Sequence, residues 1–84
     1  MIVKMFSVYD SKVKSYAQPF FAPTKGAAIR MFSDLVADSS TMVAKHPGDF
    51  TLFEIGSYDD QTAGVVALIT PESCGLALDY VQSS

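Results

Sequence analysis

Few side chains in this 84-residue chain have the type and spacing that catalysis requires. His46 is the only histidine and directly precedes Pro47, so it fits a turn better than a general-base position beside a nucleophile. Cys74 is the only cysteine, which leaves neither a transition-metal ligand set nor an intrachain disulfide. The adjacent Asp59 and Asp60 are interpreted as solvated turn residues rather than an acid–base pair or a divalent-ion site. The sequence therefore predicts no enzyme, no metal and no cofactor.

Basic and aromatic residues are interleaved in the first third of the chain, as in sites that bind single-stranded nucleic acid. In such sites a positive groove holds the phosphates and aromatic rings stack on the bases, each ring contributing ~1–3 kcal/mol. The predicted phosphate ligands are Lys4, Lys12, Lys14, Lys25 and Arg30, and the predicted stacking rings are Tyr9 and Tyr16. Three phenylalanines of this region, Phe6, Phe20 and Phe21, are predicted to lie in the core, because so small a domain must bury most of its phenylalanine.

The net charge of −3 conceals an uneven distribution. All six basic residues lie within positions 1–45, where three acidic residues leave a balance of +3, and positions 46–84 carry six acidic residues and no lysine or arginine. One basic and one acidic surface would permit anion binding or head-to-tail self-association, although ordinary solvated charges give the same count. A small chain that is 49% hydrophobic and has no disulfide favours burial against a second copy, so we expect a homodimer.

The length predicts one domain over residues 1–84. Lys4 interrupts the opening apolar run, which argues against a signal peptide, and no apolar run approaches the ~20 residues of a membrane span. We therefore expect a soluble intracellular protein with no membrane partner.

One helix is predicted over residues 24–38, where Ala28, Phe32, Leu35 and Val36 recur at steps of three and four and would face the core. Thr24 is the predicted N-cap of this helix. A further helical turn is predicted at 42–45.

Strands are predicted at 2–9, 13–21, 50–58 and 65–70. Because Pro19 lacks an N–H, the second of them is predicted to be an edge strand or to leave the ladder at Pro19. Phe53 and Ile55 are the predicted core residues of the third strand, and Pro71 is predicted to end the fourth. Residues 76–81 fit either a fifth C-terminal strand or a short helix, and residues 82–84 are predicted to fray. The fold class is therefore α+β, a small antiparallel sheet of two β-hairpins in the order β-β-α-β-β packed on one helix.

Four segments carry a family resemblance: MFSVYDSK at 5–12, QPFF at 18–21, AIRMFSD at 28–34 and HPGDFTLFEIG at 46–56. Together they resemble the small nonstructural, DNA-binding protein of gokushoviruses, the tailless single-stranded-DNA phages of the Microviridae. The resemblance implies a non-enzymatic bacteriophage protein that acts on single-stranded DNA or on viral DNA replication and packaging complexes in the host bacterial cytoplasm. It supplies no binding residues, so the lysines, arginine and tyrosines named above rest on their chemistry alone.

A second function fits the same sequence. The chain would then be a protein–protein interaction module, a scaffold or host-factor modulator without nucleic-acid affinity, whose partners are phage or host replication proteins. An acidic surface bearing Glu54, Tyr58, Asp59 and Asp60 would suit a partner that normally grips nucleic acid.

Overall fold

A computed structural model describes residues 1–81 of the chain. Its strands are β1 (Ile2–Asp10), β2 (Ser15–Tyr16), β3 (Phe20–Ala22), β4 (Phe50–Asp59) and β5 (Gly64–Leu76). Its helices are α1 (Lys25–Ala37) and the four-residue α2 (Met42–Lys45), with 3₁₀ turns at Pro47–Asp49 and Ala77–Tyr80. The predicted α+β class and the helical turn at 42–45 are confirmed.

All strands form one antiparallel sheet in the order β2-β1-β4-β5, and β3 also pairs with β1. The predicted strand at 13–21 is present as the two short pieces β2 and β3, separated by residues 17–19. Pro19 lies in that gap, so the prediction that it would leave the ladder is confirmed. Both pieces border β1, and β4 and β5 form the second predicted hairpin.

The predicted end of the last strand at Pro71 is wrong, because β5 continues to Leu76. The register moves from Ala67 opposite Gly56 to Glu72 opposite Glu54, so residues 68–71 have no Cα partner in β4. Pro71 lies in this bulge, where its missing N–H costs the ladder no hydrogen bond. Of the two alternatives for residues 76–81, the short helix is the closer one, because residues 77–80 form a 3₁₀ turn and no strand follows β5 within residues 1–81. The predicted fraying at 82–84 lies outside the described residues.

The helix α1 begins where the sequence predicts, because the Thr24 hydroxyl accepts a hydrogen bond from the Ala27 N–H at 3.1 Å. It buries Ala28, Phe32 and Val36 against one face of the sheet. The core residues on that side of the sheet are Phe6, Val8, Ala22, Leu52, Cys74 and Ala77. Phe20 is half-buried against the same core, and its ring is stacked on that of Phe6 at 5.9 Å between centroids.

Several predicted core residues are not buried, and the register explains them. Leu35 is exposed because the inward row of α1 consists of residues four apart, 28, 32 and 36. In β4 the fully buried residue is Leu52, opposite Val8, whereas Phe53 lies opposite Ser7 and is half-buried on the other face. Ile55 is the extra residue of a bulge between Glu54 and Gly56, and it too is half-buried.

Candidate nucleic-acid interface

The sheet has a second face, opposite α1, which we call the outer face. Along β1 it carries Val3, Met5, Ser7 and Tyr9, because successive side chains alternate between faces. The helices α1 and α2 and the Ala77–Tyr80 turn all pack into the core on the other side. Within residues 1–81, therefore, no helix covers the outer face.

Three rings from three neighbouring strands meet on the outer face, and we call Tyr9, Tyr16 and Phe53 the aromatic triad. Tyr9 and Tyr16 are direct cross-strand partners with ring centroids 4.8 Å apart. Phe53 lies diagonally across from Tyr9 and meets Tyr9 and Tyr16 edge-on, at 6.3 Å and 5.7 Å respectively. Such tilted contacts are the favoured geometry for aromatic pairs and hold each ring in place. Tyr16 remains 47% exposed, so the triad offers ring surface to a ligand.

A second aromatic pair lies further along the same face. Phe21 is opposite Met5, and Tyr58 is opposite Val3, which places both rings on the outer face with centroids 5.7 Å apart. Phe21 is 50% exposed, so the prediction that it belongs to the core is wrong. Its neighbour Phe20 points the other way, since adjacent residues of a strand face opposite sides.

Two of the predicted lysines lie in the turn between the tyrosines. Residues 11–14 connect β1 to β2, and Lys12 and Lys14 are both exposed there. Asp10 organises the turn: its carboxylate accepts from the Lys12 N–H at 2.9 Å and its carbonyl accepts from the Lys14 N–H at 2.8 Å. Lys14 has a φ of 58°, the left-handed conformation that closes this turn. Two positive charges are thereby held at the end of the hairpin that carries Tyr9 and Tyr16.

The other three predicted phosphate ligands lie elsewhere. Lys4 is on the α1 side of the sheet, where its Nζ is 3.6 Å from the Glu54 carboxylate. Lys25 and Arg30 are exposed on α1 itself, behind the sheet as seen from the outer face. The structure thus joins Tyr9, Tyr16, Lys12 and Lys14 and separates them from the rest of the predicted set.

Phe53 is the site residue that sequence reasoning placed wrongly. The alternation of this strand predicts Phe53 in the core together with Ile55, on the face opposite Leu52, Glu54 and Gly56. The sequence does contain a relevant signal, because Leu52 and Phe53 are adjacent apolar residues. Neighbours in a strand point to opposite faces, so one of the two side chains must lie on each face of the sheet. Only the pairing of Val8 with Leu52 decides which of the two faces the helix.

Polar residues considered for other chemistry have structural roles. His46 is an exposed C-cap whose N–H donates to the Met42 carbonyl at 2.9 Å. Asp59 accepts a hydrogen bond from the Gln61 N–H at 3.0 Å, and Asp60 is exposed in the following turn. No group of three His, Cys, Asp or Glu side chains within residues 1–81 is arranged to hold a metal ion. An open cleft of about 300 Å³ lies between the Lys12 turn and α2, and His46 is among its lining residues.

The Cys74 thiol is free and buried. Burial raises the pKa of Cys74 above its ordinary value of 9.0, and the nearby Lys25 ammonium opposes this with a smaller effect. The thiol is therefore protonated and unreactive at neutral pH. In the described part of the chain, no helix has the length and apolarity needed to span a membrane.

Comparison with known proteins identifies the chain's relatives. Residues 3–80 match the family described as Phage ORF5 protein. Protein ORF5 of Chlamydia phage 1 is 34% identical over 88 residues, an alignment that covers 92% of each chain. No solved structure matches this chain. The expected relationship to small bacteriophage proteins is thereby confirmed, and the chain belongs to the Phage ORF5 protein family of microviruses.

Proposed function

We propose that the protein binds single-stranded DNA on its outer face. The observation that supports this most directly is the aromatic triad, three half-buried or exposed rings held by mutual contacts on a sheet face that no described helix covers. Open sheets with aromatic rings are stacking platforms for unpaired bases, because every base has a π-face. In this proposal Tyr9, Tyr16 and Phe53 stack on bases, and Lys12 and Lys14 contact phosphates.

The nature of the strand follows from the same geometry. A flat platform can stack only on bases that are already unpaired, so single strands are preferred over duplex. The resemblance to proteins of single-stranded-DNA phages favours DNA over RNA. Two lysines beside the rings and a net charge of −3 predict weak binding that owes more to stacking than to charge. We propose on these grounds a binding protein of the viral replication or packaging stage, without a catalytic step.

The decisive test compares a variant that keeps the aromatic ring at position 16 with one that removes it. A fluorescently labelled oligonucleotide is titrated with wild-type protein and with Tyr16→Phe and Tyr16→Leu, and binding is followed by anisotropy. Tyr16→Phe retains the ring and should bind like wild type. Tyr16→Leu keeps apolar area but loses the π-face, which should weaken binding by ~5- to 150-fold, the equivalent of ~1–3 kcal/mol. Equal affinities for all three proteins would exclude the triad as the binding site.

A second candidate function has its own structural support. Tyr58 lies on the outer face near the far end of β4, where its ring is paired with that of the half-exposed Phe21, and Asp59 and Asp60 follow it in the chain. An acidic surface with aromatic rings suits a basic protein partner, such as a phage or host replication protein. If the wild-type protein does not bind single-stranded oligonucleotide even at low salt, this protein-interaction function replaces the first.

A further inference from the structure

One edge of the sheet is open and unusually apolar. The strand β5 pairs with β4 on one side, and within residues 1–81 no strand pairs with its other side. Its first seven residues, GVVALIT at 64–70, contain no ionisable side chain. Val65, Val66 and Ile69 are exposed by 62%, 64% and 104%. We call residues 64–70 the free edge.

The free edge lies away from the core. Residues 56–59 of β4 pair with residues 64–67 of the free edge and hold no core side chain, and the same is true of their β1 partners at residues 2–5. The sheet therefore projects beyond α1, consistent with the long dimension of the molecule, 43 Å against 25 Å and 18 Å. Val65 and Val66 are exposed on opposite faces of this projection, so its apolar surface is on both sides of the strand.

Folded proteins normally protect such an edge. Charged side chains, a proline or a covering element prevent the unpaired N–H and C=O groups from recruiting another strand. The free edge has none of these charges. Residues 68–70 lie in the bulge that leaves β4 and Pro71 follows them, so the outer N–H and C=O groups of residues 64–67 are the unprotected part of the ladder. The seven uncharged residues, four of them β-branched, match the composition of self-associating segments. An edge of this kind in an 84-residue protein marks an interaction surface.

We infer that the free edge pairs antiparallel with the free edge of a second copy of this chain. The occupant must be a β-strand, because the exposed groups are backbone donors and acceptors, and it must be apolar on both faces to cover Val65 and Val66 together. The free edge itself meets both requirements. Having no charge, it meets no electrostatic repulsion from its own copy. A two-fold axis closes the contact, so that neither free edge remains available to a third copy.

The dimer joins two sheets into one and leaves the outer faces free. Edge pairing uses the margin of the sheet, so both aromatic triads stay accessible in the assembly. This inference does not rest on the proposed DNA binding, since the edge and the triad are on different strands.

Sedimentation velocity over a range of protein concentrations tests the dimer. Wild type should shift from monomer to dimer, and the double variant Val66→Lys with Ile69→Lys should require at least tenfold higher concentration to do so, because edge lysines oppose strand pairing. The matched control is Met42→Lys with Leu78→Lys, which adds the same charge at sites exposed by 60% and 56% outside the free edge. The control should dimerise like wild type.

Hydrogen exchange of the wild-type protein provides a second measurement that needs no variant. Amides of residues 64–70 should exchange more slowly as protein concentration rises, whereas those of β2 and β3, at the opposite edge, should not. The inference is overturned if wild type stays monomeric at millimolar concentration, if the edge variant dimerises like the control, or if protection appears at β2 and β3 instead.

Discussion

Removing the two lysines of the β1–β2 turn is the sharpest test of which face meets the phosphates. The variant is Lys12→Gln with Lys14→Asn. Asparagine is chosen at position 14 because the backbone φ there is 58°, a conformation that asparagine tolerates well. Both lysine side chains are exposed, so the fold should be retained. The matched control is Lys25→Gln with Arg30→Gln, which removes the same two charges from α1 behind the sheet.

The expected effect can be stated as a change in salt dependence. For single strands, each phosphate contact contributes about −0.7 to the slope of log K against log salt, so two contacts contribute about −1.4. Between 50 and 200 mM salt, wild-type affinity should therefore fall ~7-fold further than that of the Lys12–Lys14 variant. The Lys25–Arg30 control should keep the wild-type slope, because those side chains lie on the other side of the molecule.

The assay is anisotropy of a labelled single-stranded oligonucleotide at four salt concentrations for the three proteins. A wild-type slope in the Lys12–Lys14 variant would show that these lysines do not contact phosphate. Equal loss of slope in both variants would mean that DNA responds to the overall charge of the protein and not to the outer face.

Three further predictions concern stability and are measured by urea denaturation. Phe32→Ala should cost ~3–5 kcal/mol, because Phe32 is fully buried at the centre of the α1 contact with the sheet. Gly56→Ala should destabilise by ~1–3 kcal/mol, since its Cβ would lie 2.3 Å from the Val66 carbonyl oxygen, whereas Gly48→Ala, where no heavy atom lies within 4 Å, should change stability by less than ~0.5 kcal/mol. Burial raises the pKa of the Cys74 thiol in the folded protein, so above pH 9.0 the thiol of the unfolded chain loses its proton first and stability should decline. Cys74→Ala should abolish this share of the decline. A decline of the same size in Cys74→Ala would show that the Cys74 thiol is not its cause.

Local signals in the sequence were sufficient to predict the elements of the fold. Thr24 at the start of α1 and Pro19 between two short strands each act within a few residues. Thr24 has its expected capping hydrogen bond, and Pro19 lies in the expected gap. The order of hairpin, helix and hairpin followed from these signals.

The faces of the strands could not be predicted from the same signals. Whether Leu52 or Phe53 is buried depends on which residue of β1 lies opposite, and the bulge at Ile55 changes that alternation partway along β4. The continuation of β5 past Pro71 depends likewise on a bulge that only the pairing with β4 reveals. A one-residue difference in register moves every side chain of a strand to the other face of the sheet. The register is a property of the pair of strands, so the sequence of one strand does not reveal it.

The candidate site was accordingly predicted in part. Tyr9, Tyr16, Lys12 and Lys14 belong to one hairpin, so their proximity follows from a single turn. Phe53 comes from a strand far along the chain and completes the triad only through the sheet. Lys4, Lys25 and Arg30 were grouped with the tyrosines by their position in the sequence, which does not determine the side of the sheet on which they lie.

The central position of β1 has a consequence for how the protein folds. Its partner β4 is separated from it by 40 residues, from Asp10 to Phe50, and by as many as 57, from Ile2 to Asp59. For strands so distant in sequence to pair, a large loop must close, and its entropic cost precedes any stabilisation from the pairing. We therefore expect the protein to fold at the slower rates of mixed and β-rich domains rather than at those of helical ones. During synthesis, β1 leaves the ribosome and must wait for β4 before its second edge is covered. Until β4 has been synthesised, β2 and β3 can pair with one edge of β1. Only the other edge of β1 is then open to misassociation.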